Sequence, residues 1–214
     1  MTIRLEILES AYIYAPKEIE DLHTKELVSK MVIRRRLTRA AKIAVYLADK
    51  VSFSKGRVMY GSSFGELSAT ANILNSINIK ESISPTYFQN SVYNTAVSYL
   101  SMLNDNRDEI MTISSGNNTS YNVLKMGAIK ALEGDTLLLL ATETLNIQNI
   151  DEVNDCIDFL ECGVALKVRI TKDEATIFLD DVNQEIKTPK SLEHMLYVSK
   201  NVQADKINII EIQL

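Results

Sequence analysis

The chain is poor in residues that punctuate or cross-link a fold, with 3 Pro, 7 Gly and 2 Cys among 214 residues. So little Gly and Pro excludes collagen-like and low-complexity chains. Cys156 and Cys162 are spaced too far apart for a CxxC pair, and no second pair exists to complete a zinc site. No metal and no disulfide framework is therefore expected, and both cysteines read as ordinary reduced thiols. Histidine is equally scarce: His23 and His194 are the only two, which leaves little for imidazole catalysis. No apolar run approaches the roughly 18 residues of a membrane span. Glu6 and Glu9 fall where a secretory leader would be apolar, so a cytoplasmic location is expected. Positive charge is not in surplus either. Lys and Arg total 23 against 28 Asp and Glu, a net charge of -5, which offers no broad basic face for nucleic acid.

What is present is regular patterning over a 46% hydrophobic composition, in a chain long enough to bury about 70% of its unfolded surface as one domain, 1–214. Residues 2–7 alternate, with Ile3, Leu5 and Ile7 on one face, and predict a strand. Residues 32–51 place Leu37, Ala40, Ala41, Ala44, Val45, Leu47 and Ala48 at helical spacing. Arg57–Tyr60 predicts a strand, followed by a helix in which Leu67, Ala71, Leu74 and Ile77 share a face. Pro85 starts another helix through about Asn90–Met102, with Val92, Ala96, Val97 and Leu100 inward. Glu109–Ile113 reads as a strand, 119–132 as a helix and Thr136–Ala141 as a strand apolar on both faces, as in a sheet covered on each side. Val164–Ile170 and Ala175–Val182 alternate around a short polar link and predict a β-hairpin near the C-terminus. A helix at about Ser191–Lys200 and a strand at Ile207–Ile212 follow. The order of elements predicts an α/β fold with three layers.

Two constellations carry chemical readings. Gly61-Ser62-Ser63-Phe64-Gly65 is a literal G-x-S-x-G between a strand and a helix, the setting of a hydrolase nucleophile elbow, with Asp151 and His194 available in triad order. Against it, His194 sits in a helical pattern and no oxyanion segment is visible, so a turn of small residues is the stronger reading. Arg34, Arg35, Arg36, Arg39 and Lys42 cluster on one predicted helix of an acidic chain. They offer either a solvated face or a dock for an acidic carrier protein.

The ordered blocks RRRLTRAAKIA, YGSSFGEL, SPTYFQNSVYNTAVSYLSM, ISSGNNTSYNVLKMGAIKAL, GDTLLLLATE and DFLECGVALKV resemble the amino-terminal half of β-ketoacyl-acyl-carrier-protein synthases. The likeness runs from about Arg34 to Val168. More narrowly, it is similar to the short ketosynthase-like proteins called chain length factors in aryl polyene and flexirubin-type clusters. The resemblance implies a thiolase-like fold, one thiolase half with a three-layer αβα mixed sheet. It places the nucleophilic Cys of such enzymes at Asn117, which cannot form an acyl thioester. It draws their catalytic histidines from a second half not contained in this sequence, and neither His23 nor His194 falls where they would. Where relatives tend to show SVHNA, Tyr93 replaces the histidine. The implied role is a catalytically inactive subunit that acts with a complete ketosynthase and an acyl carrier protein, without a cofactor. Its dimer strand would be Ile110, Met111, Thr112 and Ile113, and a homodimer is the alternative assembly. A carrier-binding scaffold and a hydrolase using Ser63 are the competing functions. Residual chemistry at Thr119 or Ser120 lacks a visible base.

Overall fold

The computed structural model describes residues 1–147, 150, 158–179, 182 and 187–214. Its strands are β1 (Thr2–Ala15), β2 (Arg57–Gly61), β3 (Ile110–Ile113), β4 (Leu137–Thr144), β5 (Glu161–Thr171) and β6 (Asn208–Gln213). Helices α1 (Thr24–Leu27), α2 (Met31–Arg34) and α3 (Arg39–Lys50) precede β2, and α4 (Leu67–Asn78), α5 (Pro85–Asn90) and α6 (Thr95–Asn104) lie between β2 and β3. Helix α7 (Thr119–Ala131) joins β3 to β4, and α8 (Glu193–Asn201) precedes β6.

The strands form one mixed sheet in the order β3-β2-β4-β5-β1-β6. β2 runs parallel to both β3 and β4, whereas β5 is antiparallel to β4 and to β1, and β1 is antiparallel to β6. Side-chain alternation sorts β4 between two cores. Leu137, Leu139 and Ala141 pack in a cluster with Val123, Leu124 and Ala128 of α7 and Met195 and Leu196 of α8. Leu138 and Leu140 join Ile43, Ala44 and Leu47 of α3 and Ala96, Val97 and Leu100 of α6. Helices thus cover both faces, which is why β4 is buried at every residue.

Several sequence expectations change in detail. The opening strand continues to Ala15 because, past an irregularity at Ile7/Glu9, it keeps pairing with β5. Its half-buried second part has no clean alternation to reveal it. The helix expected over 32–51 is two helices. Thr38 takes an extended conformation and accepts the Ala41 N–H on its hydroxyl at 3.1 Å, capping α3 at Arg39. The hairpin is not formed among the described residues. β5 uses both of its hydrogen-bonding edges on β1 and β4, and Ile177 instead makes a parallel bridge to Ile210 of β6. The apolar face expected to turn inward on α4 turns out, with Leu74 60% and Ile77 56% exposed and Ala69 as that helix's buried residue. Val92 is likewise exposed, lying in the break between α5 and α6.

Candidate functional site

Parallel strands β2 and β4 end at one edge of the sheet, and antiparallel β5 begins there. The carboxyl edge of parallel strands is where open α/β sheets bind ligands. Three acidic side chains, Glu66, Glu143 and Glu161, are buried at or beside this edge.

Glu143 organises the turn after β2. Its Oε1 accepts the Ser63 N–H at 2.6 Å and the Ser191 hydroxyl at 2.7 Å. Its Oε2 accepts the Ser62 hydroxyl at 3.0 Å and the Phe64 N–H at 3.3 Å. Burial pushes this carboxyl above its ordinary range, and the four donors pull the other way. Ser62 Oγ in turn accepts the Gly65 N–H at 2.8 Å, which closes the turn. The G-x-S-x-G segment is therefore a carboxylate-pinned turn. Among the described residues no imidazole hydrogen-bonds Ser63. His194 lies with its ring 5.1 Å from that of Tyr121 and its backbone N–H on Ser120 Oγ. Burial lowers its pKa, favouring the neutral ring. Asp151, the expected acid of that triad, lies outside the described residues, as does Cys156.

Strand β3, an exposed turn and α7 form the second element of this edge. Asn117 occupies a short 3₁₀ turn, Gly116–Asn118, directly ahead of α7, and it is exposed. Thr119 fixes the turn: its hydroxyl accepts the Ser115 N–H at 3.0 Å and donates to the Gly116 carbonyl at 2.7 Å. Thr119 and Ser120 are both fully buried. Their hydroxyls are engaged in holding the helix start and α8, so neither is presented as a nucleophile. Cys162 is buried in β5 with Sγ 3.4 Å from the Phe159 carbonyl, away from the turn. The position where a helix N-terminus would activate a thiol thus carries a carboxamide.

The fold distributes the basic cluster over two helices and the link between them. Arg39 makes a two-pronged contact with Glu161, Nε to Oε1 at 2.9 Å and Nη2 to Oε2 at 2.6 Å, and pairs with Glu18 at 2.8 Å. It is the counter-ion of the buried Glu161 carboxylate. Arg34 donates to the Val28 carbonyl at 2.9 Å. Arg35 and Arg36 are exposed beyond the end of α2, and Lys42 is half-buried on α3. The five cations do not share one helix, because the chain breaks between Arg34 and Arg39 to place the Thr38 cap. Ile110–Ile113, the strand expected to pair in a dimer, is half-buried and is the outermost strand on its side of the sheet.

Sequence reasoning missed Glu66, Glu143 and Glu161. One weak signal was available for Glu143, an acid ending an otherwise apolar strand, TLLLLATE. The order β3-β2-β4-β5-β1, with its antiparallel β5 and helices on both faces, is that of a thiolase-like half. The chain belongs to the β-ketoacyl synthase N-terminal domain family, which it matches over residues 11–213. Among solved structures it is similar to a chain of the ketosynthase ApeO in complex with its chain length factor ApeC from Xenorhabdus doucetiae. That likeness has a TM-score of 0.69 at 20% identity, and covers 94% of this chain and 93% of that one. It is also similar to a β-ketoacyl synthase from Burkholderia phymatum STM815, with TM-score 0.55, 14% identity, and 79% of this chain on 60% of that one. The ishigamide ketosynthase/chain length factor gives TM-score 0.54 at 11% identity, with 80% of this chain on 59% of that one. No curated protein matches the chain. Among the described residues no helix is long and apolar enough to cross a membrane.

Proposed function

We propose that this chain is a chain-length-factor-like subunit, one domain over 1–214, that pairs in the cytoplasm with a complete ketosynthase in polyene or fatty-acid-like biosynthesis. One observation supports the reading: β3 leads through an exposed 3₁₀ turn into α7, and the turn to which the ketosynthase resemblance assigns the nucleophilic thiol holds Asn117. An amide cannot accept the acyl group, so the chain contributes surface and not acyl transfer. The kind of surface agrees. Residues 67–104 carry Lys80 and Glu81 as their only charges. Across α4, α5 and the break before α6, Leu74, Ile77, Phe88, Val92 and Tyr93 are exposed. Depletion of charge with enrichment of aromatics marks the centre of an interface, and an apolar patch of this kind marks a partner site. The edge of β3 supplies backbone donors and acceptors for pairing. Carrier-protein contact falls to Arg35, Arg36 and Lys42.

Co-expression with a complete ketosynthase from the same organism tests the assembly. Size-exclusion chromatography with light scattering is expected to show a heterodimer, and Leu74→Glu with Phe88→Glu is expected to abolish it. Because both side chains are exposed, thermal stability of the free chain should move by no more than about 0.5 kcal/mol. Neither the chain alone nor its variant should take up label from an acyl thioester. A strict monomer that ignores every ketosynthase offered, or a chain that self-acylates, would overturn the proposal.

A further inference from the structure

A cavity of about 310 Å³ opens at the carboxyl edge of β4, a volume at the lower end of small-molecule sites. Its charged lining is Glu18, Arg39, Glu66 and Glu161, three carboxyl groups against one guanidinium. Most of that charge is already spoken for. Glu161 accepts both Arg39 donors, the Ile19 N–H at 2.8 Å and the Asn146 amide at 3.1 Å. The other end of the Arg39 guanidinium is on Glu18. Glu66 differs. It is 6% exposed, its Oε1 accepts the Thr38 hydroxyl at 2.6 Å, and no described residue donates to its Oε2. It is a buried acid without a cation, lining a cavity whose fixed charge is negative. Tyr87 and Ala69 add an aromatic ring and a methyl to the same wall.

We propose that this cavity binds a small organic cation, an alkylammonium whose head group pairs with Glu66 while its short stem lies against Tyr87 and Ala69. A buried carboxylate is costly unless it is paired and hydrogen-bonded, and an ammonium supplies both a charge and the missing donors. The aromatic ring is a further favourable neighbour for a cation. Anions are disfavoured by the same arithmetic: phosphate and carboxylate ligands would meet three carboxyl groups with the single guanidinium already engaged. Every residue in the site belongs to this chain, and because Ala69 and Tyr87 lie on the α4 and α5 proposed to meet a ketosynthase, the site is tested on the chain alone.

Calorimetric titration of the full chain with n-butylammonium chloride at about pH 8, where the Glu66 carboxyl is ionised, tests the site, with sodium butyrate as the charge-reversed control. Saturable binding at one site in the millimolar range is expected for the amine and none for butyrate. Glu66→Gln, isosteric and still able to accept from Thr38, is expected to weaken the amine at least roughly tenfold. Ser68→Phe, at an exposed lining position, should block the cavity without touching Glu66. An unchanged circular dichroism spectrum certifies that each variant is folded. Absence of saturable amine binding, equal binding of butyrate, or binding retained by both variants would each overturn the proposal.

Discussion

Burial of Glu66 against a single hydroxyl donor raises its carboxyl to about 7, from 4.5 in an exposed chain. The native state therefore holds this proton more tightly than the unfolded state does. The associated stability is fully present below about pH 4.5 and is lost as pH rises through about 7. At about 1.4 kcal/mol for each pH unit of difference, the loss approaches about 3 kcal/mol by pH 8. Glu66→Gln keeps the Thr38 hydrogen bond and cannot ionise. Chemical denaturation is expected to show the variant more stable than the parent by up to about 3 kcal/mol near pH 8, with the two converging near pH 4.5. Parallel pH profiles would show that Glu66 ionises freely in the fold. Little of this was legible in the sequence, where Glu66 and Glu161 look like ordinary surface acids and only the apolar run ahead of Glu143 points to burial. Their partners are remote: Thr38 for Glu66, Ser62, Ser63 and Ser191 for Glu143, Arg39 for Glu161. Charge patterning grouped Arg39 with its neighbours in the chain, whereas the fold assigns it to an acid 122 residues away.

At the scale of elements, periodicity located α7, β4 and the end of α3 closely, because each has a one-sided or two-sided burial that writes itself into the residue pattern. It said nothing about pairing. Alternation in 164–170 reports which face of a strand is buried and not which strand lies alongside, so a neighbouring alternating segment reads as a hairpin partner, whereas β1 and β4 supply the pairing. The outward face of α4 shows the converse: helical spacing of Leu74 and Ile77 is present, but the surface it meets is not part of this chain's core. Contact between layers is close where glycine permits it. A Cβ at Gly163 of β5 would lie 2.6 Å from Ile43 Cγ2 and 2.7 Å from Leu47 Cδ1, both on α3. Two buried neighbours from one helix cannot both move aside without lifting α3 from the sheet. Gly163→Ala is expected to cost about 1–3 kcal/mol, read as a lower thermal midpoint with helix content retained. An unaltered midpoint would mean that α3 is not seated on β5 as described.

Across the whole molecule, stability is distributed unevenly. β4 is buried throughout and sits between paired neighbours, while the α4–α5 region has Ala69 as its buried residue. Native-state hydrogen exchange should be slowest in β4 and the facing residues of α7, and fastest in α4 and α5. Addition of the proposed ketosynthase partner should slow the second group selectively, and exchange of α4 as slow as that of β4 in the free chain would contradict this ranking. The position of β1 has a consequence for biogenesis. It is inserted between β5 and β6, both far downstream in the chain. During synthesis it leaves the ribosome before β5 and β6 do, so neither of its hydrogen-bonding edges meets its native partner until they emerge. Closure of the sheet is a late, non-local event of the kind that slows folding, and the nascent chain in that interval is where chaperone capture is most needed.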